Sequence, residues 1–518
     1  MPSVVDPKRV YFAVAACAVV VYLGALGNRF AMDDLYVIVF NPLVHSASGI
    51  WRAFGAPYWP PDYGGKMYRP LVVATFGLDR LVDGSAWFHA VNVLCHGAAA
   101  VVAAALARRW AGARGALVAG VVFAVHPVHV EAVANVVGRA ELLATLFTML
   151  AVYAALERDS VAWSALAVAF GLLSKENAAV APGLIAWAWM LGLRRPPTRR
   201  IVAYTASWAA LAVVYGAIRW HVLHPYAHWE VVAPIFFGAT WLQVRLTAAA
   251  ALADVVRLLV FPLTLRVDYS PNEFTLASSL LDSRFLLGVA ALLLWAGLLW
   301  WAWRRNRKLE AFGLGWIAIA FLPVANLVFP TGILLAERTL YLPSVGLALA
   351  IGGWSERPSR RFVDLFYRDD RFVVVPVKWL AVAAILVAGG IRTALRVPVW
   401  RDDKSVTLSI FDDSPASYRG PARSAGLLQS AGQAAKALAA YQAAARIYDR
   451  DPTVFVGAAD AAFTLGRPTL ADALLIRVDQ LCFRCTGYLY TQAAAARSRG
   501  DGMTADSLLA HAKEWEAK

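Results

Sequence analysis

The chain has 518 residues, of which 59% are hydrophobic and only 16% charged. Its mean hydropathy is +0.54. That balance excludes an ordinary soluble globular protein and points to a polytopic membrane protein. The net charge of +14 does not signal nucleic acid, because the basic residues cluster in short loops between apolar runs. Such loops fit the cytoplasmic side of a membrane protein, and twenty Trp suit interfacial anchoring.

In chain order, apolar runs long enough to be spanning helices fall near 10–27, 86–107, 115–131, 141–156, 160–173, 178–193, 201–218, 284–303, 311–329, 339–354 and 377–395. The first follows Lys8 and Arg9 and resembles a signal peptide, but no small-x-small cleavage site precedes "NRFAMDD", so an uncleaved first helix is expected. Basic loops at 108–114, 194–200, 304–308 and 355–378, with the N-terminus, are expected in the cytoplasm. That places 28–85, 132–140, 174–177, 330–338 and the region from about 396 outside. The run 241–262 carries Arg245, Asp254 and Arg257 and is read as an amphipathic or re-entrant element, with a pair of crossings as the alternative. The expected division is a membrane domain over 1–395, with large outer segments at 28–85 and 219–283, and an extracytoplasmic helical domain over 396–518. The fold class is therefore all-α.

The C-terminal region repeats. Gly432, Gly466 and Gly500 are 34 residues apart, and Ala437, Ala471 and Ala505 follow each by five. Tyr441, Leu475 and Leu509 stay in register, as do Ala444, Val478 and Ala512. A 34-residue period with a turn glycine and small packing residues is the pattern of tetratricopeptide-type helical hairpins, suited to binding a partner or supporting the membrane domain. Cys17 and Cys95 read as packing residues; "CFRC", Cys482 to Cys485, is a lone weak pair.

Candidate chemistry gathers on the outer side. Asp33 and Asp34 directly follow the first span, where a carboxylate can act as a general base or simply cap a helix. Tyr68 and Arg69 lie in the same loop. His89, Asn92 and His96 share one helical face. Three outer cations, Arg139, Lys175 and Arg338, each neighbour a glutamate: Glu141, Glu176 and Glu337. Either each pairs with its own glutamate, or several converge on an anion such as phosphate. His126, His129 and Glu131 suggest a metal cluster, but Pro127 breaks a helix between the histidines; pocket walls are the expected role, and no metal site is assigned.

The segments "FAMDDLYVIVFNP", "YRPLVVATFGLDRL", "FHAVNVLCH", "HPVHVEAVANVVGRAELLA", "LLSKE", "FPLTLRVDYS" and "PVANLVFPTGILLAERTLYLPSVG" occur together. They make the chain resemble the transmembrane and tetratricopeptide-repeat O-mannosyltransferases and their bacterial relatives, over about 28–350. The resemblance implies a class C glycosyltransferase fold in a bacterial inner membrane, acting on its periplasmic side. It implies transfer of mannose or another hexose, with inversion, from a polyprenyl-phosphate carrier to an acceptor hydroxyl on protein, lipid or glycan. It implies Asp33 and Asp34 as the catalytic pair, Glu131 and Glu141 as site-shaping acids, and some of Arg139, Lys175 and Arg338 as ligands of the carrier phosphate. A divalent metal is not expected. Two other classes compete: a transporter, which would place charges at mid-span, and a membrane-anchored scaffold, which would leave the outer acids and cations without a task.

Overall fold

The computed structural model describes residues 6–61, 67–226, 232–357, 362–368, 371–482 and 486–517. The helices run α1 (Pro7–Val21), α2 (Ala47–Arg52), α3 (Pro70–Asp79), α4 (Ser85–Val125), α5 (Val130–Ala134), α6 (Arg139–Tyr153), α7 (Val161–Ser174), α8 (Ala181–Met190), α9 (Thr198–Leu223), α10 (Trp241–Val260), α11 (Ser283–Arg304), α12 (Lys308–Phe321) and α13 (Tyr341–Ser355). A two-stranded antiparallel hairpin follows, β1 (Phe362–Arg368) and β2 (Arg371–Pro376). Then come α14 (Val377–Arg396), α15 (Asp403–Asp413), α16 (Arg419–Ser430), α17 (Ala434–Ile447), α18 (Pro452–Thr464), α19 (Pro468–Leu481), α20 (Thr486–Ser498) and α21 (Gly502–Ala517). The fold is all-α apart from that hairpin, which occupies the basic segment 355–378, expected to be an irregular loop.

Each of the eleven apolar runs carries a helix. Among the described residues, five helical segments qualify as membrane spans by length and composition: 85–125, 136–158, 198–226, 283–304 and 379–400. The first is physically two. Ala111 and Gly112 leave the helical conformation, Gly112 at φ 55°. The halves then fold back on each other: a Cβ on Gly120 would lie 2.9 Å from the Ala104 side chain. "RRWAGAR" is thus a tight turn rather than an open loop, and a glycine supplies the left-handed backbone it needs.

Small residues set the packing. Val14 and Ala18 of α1 press on α4, where a Cβ at Gly120 would come within 2.6 Å of the Val14 side chain. Helices α12 and α13 cross at Gly313 and Gly346, each of whose Cβ positions lies 2.2 Å from the other's carbonyl oxygen. In lipid, where apolar burial offers little drive, such close approach is what holds helices together. The inner helices form the core: 72% of the 136–158 window is buried, against 6% for α9 and 11% for α11. The outer faces of α9 and α11 instead expose Val213, Val214, Trp220, Leu287, Leu293 and Trp300, an apolar surface matched to acyl chains.

Helix α10 is amphipathic. Thr240 and Gln243 close a capping box at its start. Val244, Ala251, Val255, Leu258 and Leu259 face a second core with Phe236, Leu265, Tyr269 and Leu340. The last six helices pair as three hairpins, α16 with α17, α18 with α19, and α20 with α21. Gly432, Gly466 and Gly500 all take positive φ, at 74°, 66° and 83°, and end the first helix of each cycle. Ala437, Ala471 and Ala505 are fully buried, as are Ala444, Val478 and Ala512. Cys485 lies outside the described residues.

Candidate active site

The chain leaves α1 through a 3₁₀ turn, Leu23–Gly27, and reaches Asp33 and Asp34. The two acids are placed differently. Asp34 is buried, at 1% exposure. Its Oδ2 accepts from the Ala31 N–H at 3.1 Å and its Oδ1 from the Val137 N–H at 2.8 Å. Asp34 therefore ties the first outer loop to the second. Burial pushes its carboxyl up to about 7, against those two donors, and the Asp33 charge adds to the rise. Asp33 is half-buried and lines a cavity of about 220 Å³ with Glu131 and Arg338.

The second outer loop turns from α5 into α6. Gly138 allows this turn: a Cβ there would sit 2.1 Å from the Ala132 carbonyl oxygen. Glu131 and Glu141 stand in the first turns of α5 and α6, where the helix dipole favours acids. Both are buried, at 2% exposure each.

The outer cations do not pair with their sequence neighbours. Residues one or two apart on a helical turn point apart, Lys175 is extended ahead of Glu176, and the fold exchanges the partners. Arg338 pairs with Glu131, which also accepts the Arg338 backbone N–H at 2.8 Å. Lys175 pairs with Glu141. Glu176 takes Arg69, at 3.0 and 3.4 Å. Arg139 takes Asp79. Glu337 accepts the Arg266 N–H at 2.5 Å and the Tyr269 hydroxyl at 2.9 Å. Burial drives Glu337 up to about 8, with Arg396 opposing and Glu131 reinforcing. Burial lowers Lys175 despite Glu141; burial also opposes the Arg338 charge, but the surrounding carboxylates, Glu131 foremost, together raise its pKa. The Arg338 pKa is also raised by the charges of Asp33 and Glu141, so these groups feel one another across the site.

Arg139 stands apart from the cavity. It is fully buried and stacks on Phe76 at 4.7 Å. Its guanidinium donates to Asn92 Oδ1 at 2.8 Å, the Phe88 carbonyl at 2.9 Å and Thr75 at 3.3 Å, besides Asp79. Asn92 in turn donates to the Asn135 and Val136 carbonyls. His89 reaches the Arg29 carbonyl at 3.3 Å. Tyr68 is buried and donates to the Phe54 carbonyl at 2.8 Å. Arg69 stacks over Tyr58 at 5.1 Å. His89 and Asn92 therefore brace the Arg29 and Asn135–Val136 segments from behind, whereas His96 is held between Tyr341 and the Ala124 carbonyl.

His126 and His129 do not converge with Glu131 on a common point. His126 Nε2 contacts the Leu259 carbonyl at 2.9 Å, and His129 Nε2 contacts Ser344 at 2.7 Å. Among the described residues no group of His, Cys, Asp and Glu is arranged to hold a metal.

Residues not singled out from sequence complete the site. Asp79 is the partner of Arg139. Asp268 and Tyr269 line the cavity, and so does Arg419 from α16. The run "FPLTLRVDYS" carried the signal for Asp268 and Tyr269; nothing in the sequence marks Arg419.

The model of the family described as dolichyl-phosphate-mannose-protein mannosyltransferase matches residues 82–220. The chain is similar to Protein O-mannosyl-transferase TMTC4 of Mus musculus, 26% identical over 486 residues, covering 81% of this chain and 64% of that protein. It is similar to TMTC3 of the same organism, 25% identical over 440 residues, covering 76% and 46%. Protein O-mannosyl-transferase F38B6.6 of Caenorhabditis elegans is 30% identical over 348 residues, covering 64% and 49%. The chain thus spans roughly half to two thirds of the length of these relatives. No solved structure matches.

Proposed function

We propose that the chain is a TMTC-like glycosyltransferase of the class C type, and that it moves a hexose, mannose or a close relative, from a polyprenyl-phosphate carrier to an acceptor hydroxyl on a protein. The reaction takes place on the non-cytoplasmic face of a bacterial inner membrane and inverts the anomeric centre. The membrane domain crosses eleven times, and the tetratricopeptide-like helices 396–518 lie on the same side as the cavity. The observation that carries this reading is the meeting of Asp33, Glu131 and Arg338 in one cavity.

Each has a task. Asp33 takes the proton of the acceptor hydroxyl as its oxygen attacks the anomeric carbon. The bond from that carbon to the carrier oxygen breaks, and its electron pair leaves on the polyprenyl phosphate. Arg338 faces that developing charge. Glu131 binds both the guanidinium and the backbone N–H of Arg338, so the cation is oriented before substrate arrives. Asp34, with both oxygens engaged by backbone, positions Asp33 rather than reacting. Lys175 pairs with Glu141 and Arg69 with Glu176 beyond the cavity lining, and Arg139 holds the loops.

Lipid co-purified with the protein and identified by mass spectrometry tests the donor. A polyprenyl phosphate or its hexosyl ester retained by the wild type and depleted in Arg338→Met supports the assignment. Retention of only bulk phospholipid, unchanged in the variant, counts against it.

A further inference from the structure

One wall of the cavity comes from outside the membrane domain. Arg419, the first residue of α16, lines it together with Asp33, Glu131 and Arg338. Its position is fixed by bonds between the helical module and the outer segments. Ser414 Oγ donates to the Asp268 carbonyl at 2.7 Å, and Ser417 Oγ donates to Asp268 Oδ2 at 2.5 Å. Ser417 Oγ then accepts the Arg419 N–H at 3.1 Å. On another side, Asp403 accepts the Met32 N–H at 2.9 Å and Arg423 at 2.5 Å. Met32 directly precedes Asp33, so the module grips the loop that carries the proposed base.

The guanidinium of Arg419 is incompletely used. Asp451 is its ion-pair partner at 3.8 Å, too far for a hydrogen bond. Asp451 is already engaged by the Tyr418 hydroxyl and by Thr453. Arg419 Nε is buried and finds no acceptor. The guanidinium also lies over the Tyr418 ring, at 5.4 Å, and its side chain stays 39% exposed; a planar cation lining a cavity in this way suits a carboxylate.

Which substrate supplies the carboxylate follows from where the cation is mounted. The carrier phosphate is tethered to the membrane and is met by Arg338 from the membrane domain. Arg419 is mounted on the module that closes the cavity from its other side, where an acceptor chain must enter. Resting on the transfer reaction above, we propose that Arg419 contacts the acceptor and selects polypeptides with an Asp or Glu beside the hydroxyl residue.

The test uses the full chain and a radiolabelled polyprenyl-phosphate hexose. Two synthetic peptides, identical except for Asp or Asn beside one Thr, serve as acceptors. The readout is the ratio of kcat/KM for the acidic over the neutral peptide. A charge-assisted contact makes that ratio about tenfold in the wild type. Arg419→Gln brings it close to one, and Arg419→Lys restores part of it. A merely structural role lowers both rates and leaves the ratio unchanged, which would overturn the inference. A raised donor KM with an unchanged ratio would overturn it too, by moving Arg419 to the carrier phosphate. Equal transfer to both peptides by the wild type refutes the selection alone; transfer to neither refutes the reaction on which it rests.

Discussion

Replacing Arg139 by Met separates a structural cation from a substrate ligand. The side chain is fully buried, so its loss cannot be compensated by water at the surface. Four acceptors lose their donor: Asp79, Asn92 Oδ1, the Phe88 carbonyl and Thr75. Each buried acceptor left open costs about 1–3 kcal/mol, and breaking a buried ion pair from one side costs about 3–5 kcal/mol in total. The two figures describe overlapping losses, so about 3–5 kcal/mol is the expected destabilisation. Removing both charges, in Arg139→Met with Asp79→Leu, leaves no uncompensated carboxylate and should recover most of that loss. Denaturant unfolding of the detergent-solubilised protein reads the stability of the single and double variants, and donor KM is measured on the folded fraction. A single variant with wild-type stability and a donor KM raised tenfold or more would refute the reasoning and return Arg139 to the phosphate.

Asp34 should leave a mark on the pH dependence of stability. Its carboxyl lies at about 7 in the folded chain against an ordinary 3.8. Between about 4 and 7 the unfolded chain has released a proton that the folded chain still holds, so the stability due to Asp34 falls as pH rises and levels off above 7. In Asp34→Asn that slope should vanish, and thermal unfolding should show the wild-type advantage shrinking from pH 5 to pH 7; an advantage that grows with pH contradicts the assignment. Gly138→Ala places a Cβ 2.1 Å from the Ala132 carbonyl oxygen. Backbone must move to admit it, and the second outer loop should become open to limited proteolysis, with transfer lost; full protection and activity would contradict the close turn.

The helices were legible because apolar runs of about 20 residues leave few alternatives in a membrane. The repeat was legible because three glycines in register mark three turns, and all three take positive φ. The turn at Ala111–Gly112 was legible too, as the basic loop 108–114 between two apolar runs; the hairpin at 362–376 was not, because it sits in a segment whose charges suggested only a loop. The acids and cations of the outer loops were visible as residues but not as pairs. Sequence adjacency suggested Arg139 with Glu141, Lys175 with Glu176 and Arg338 with Glu337. Backbone geometry sends each cation to a partner 34 to 207 residues away or, for Arg139, to Asp79 on α3. Arg419 could not have been found from sequence, because its place in the cavity exists only once the helical module docks on Asp268 and Met32.

The central claim is that Asp33 activates an acceptor hydroxyl. The direct measurement is transfer of labelled hexose from a polyprenyl-phosphate donor to peptide by purified wild type and by Asp33→Asn. Loss of the base should lower kcat by about 10²–10⁴-fold, with donor binding and unfolding unchanged because Asp33 is not one of the groups that hold the loops. An Asp33→Asn enzyme that transfers at the wild-type rate would contradict the account.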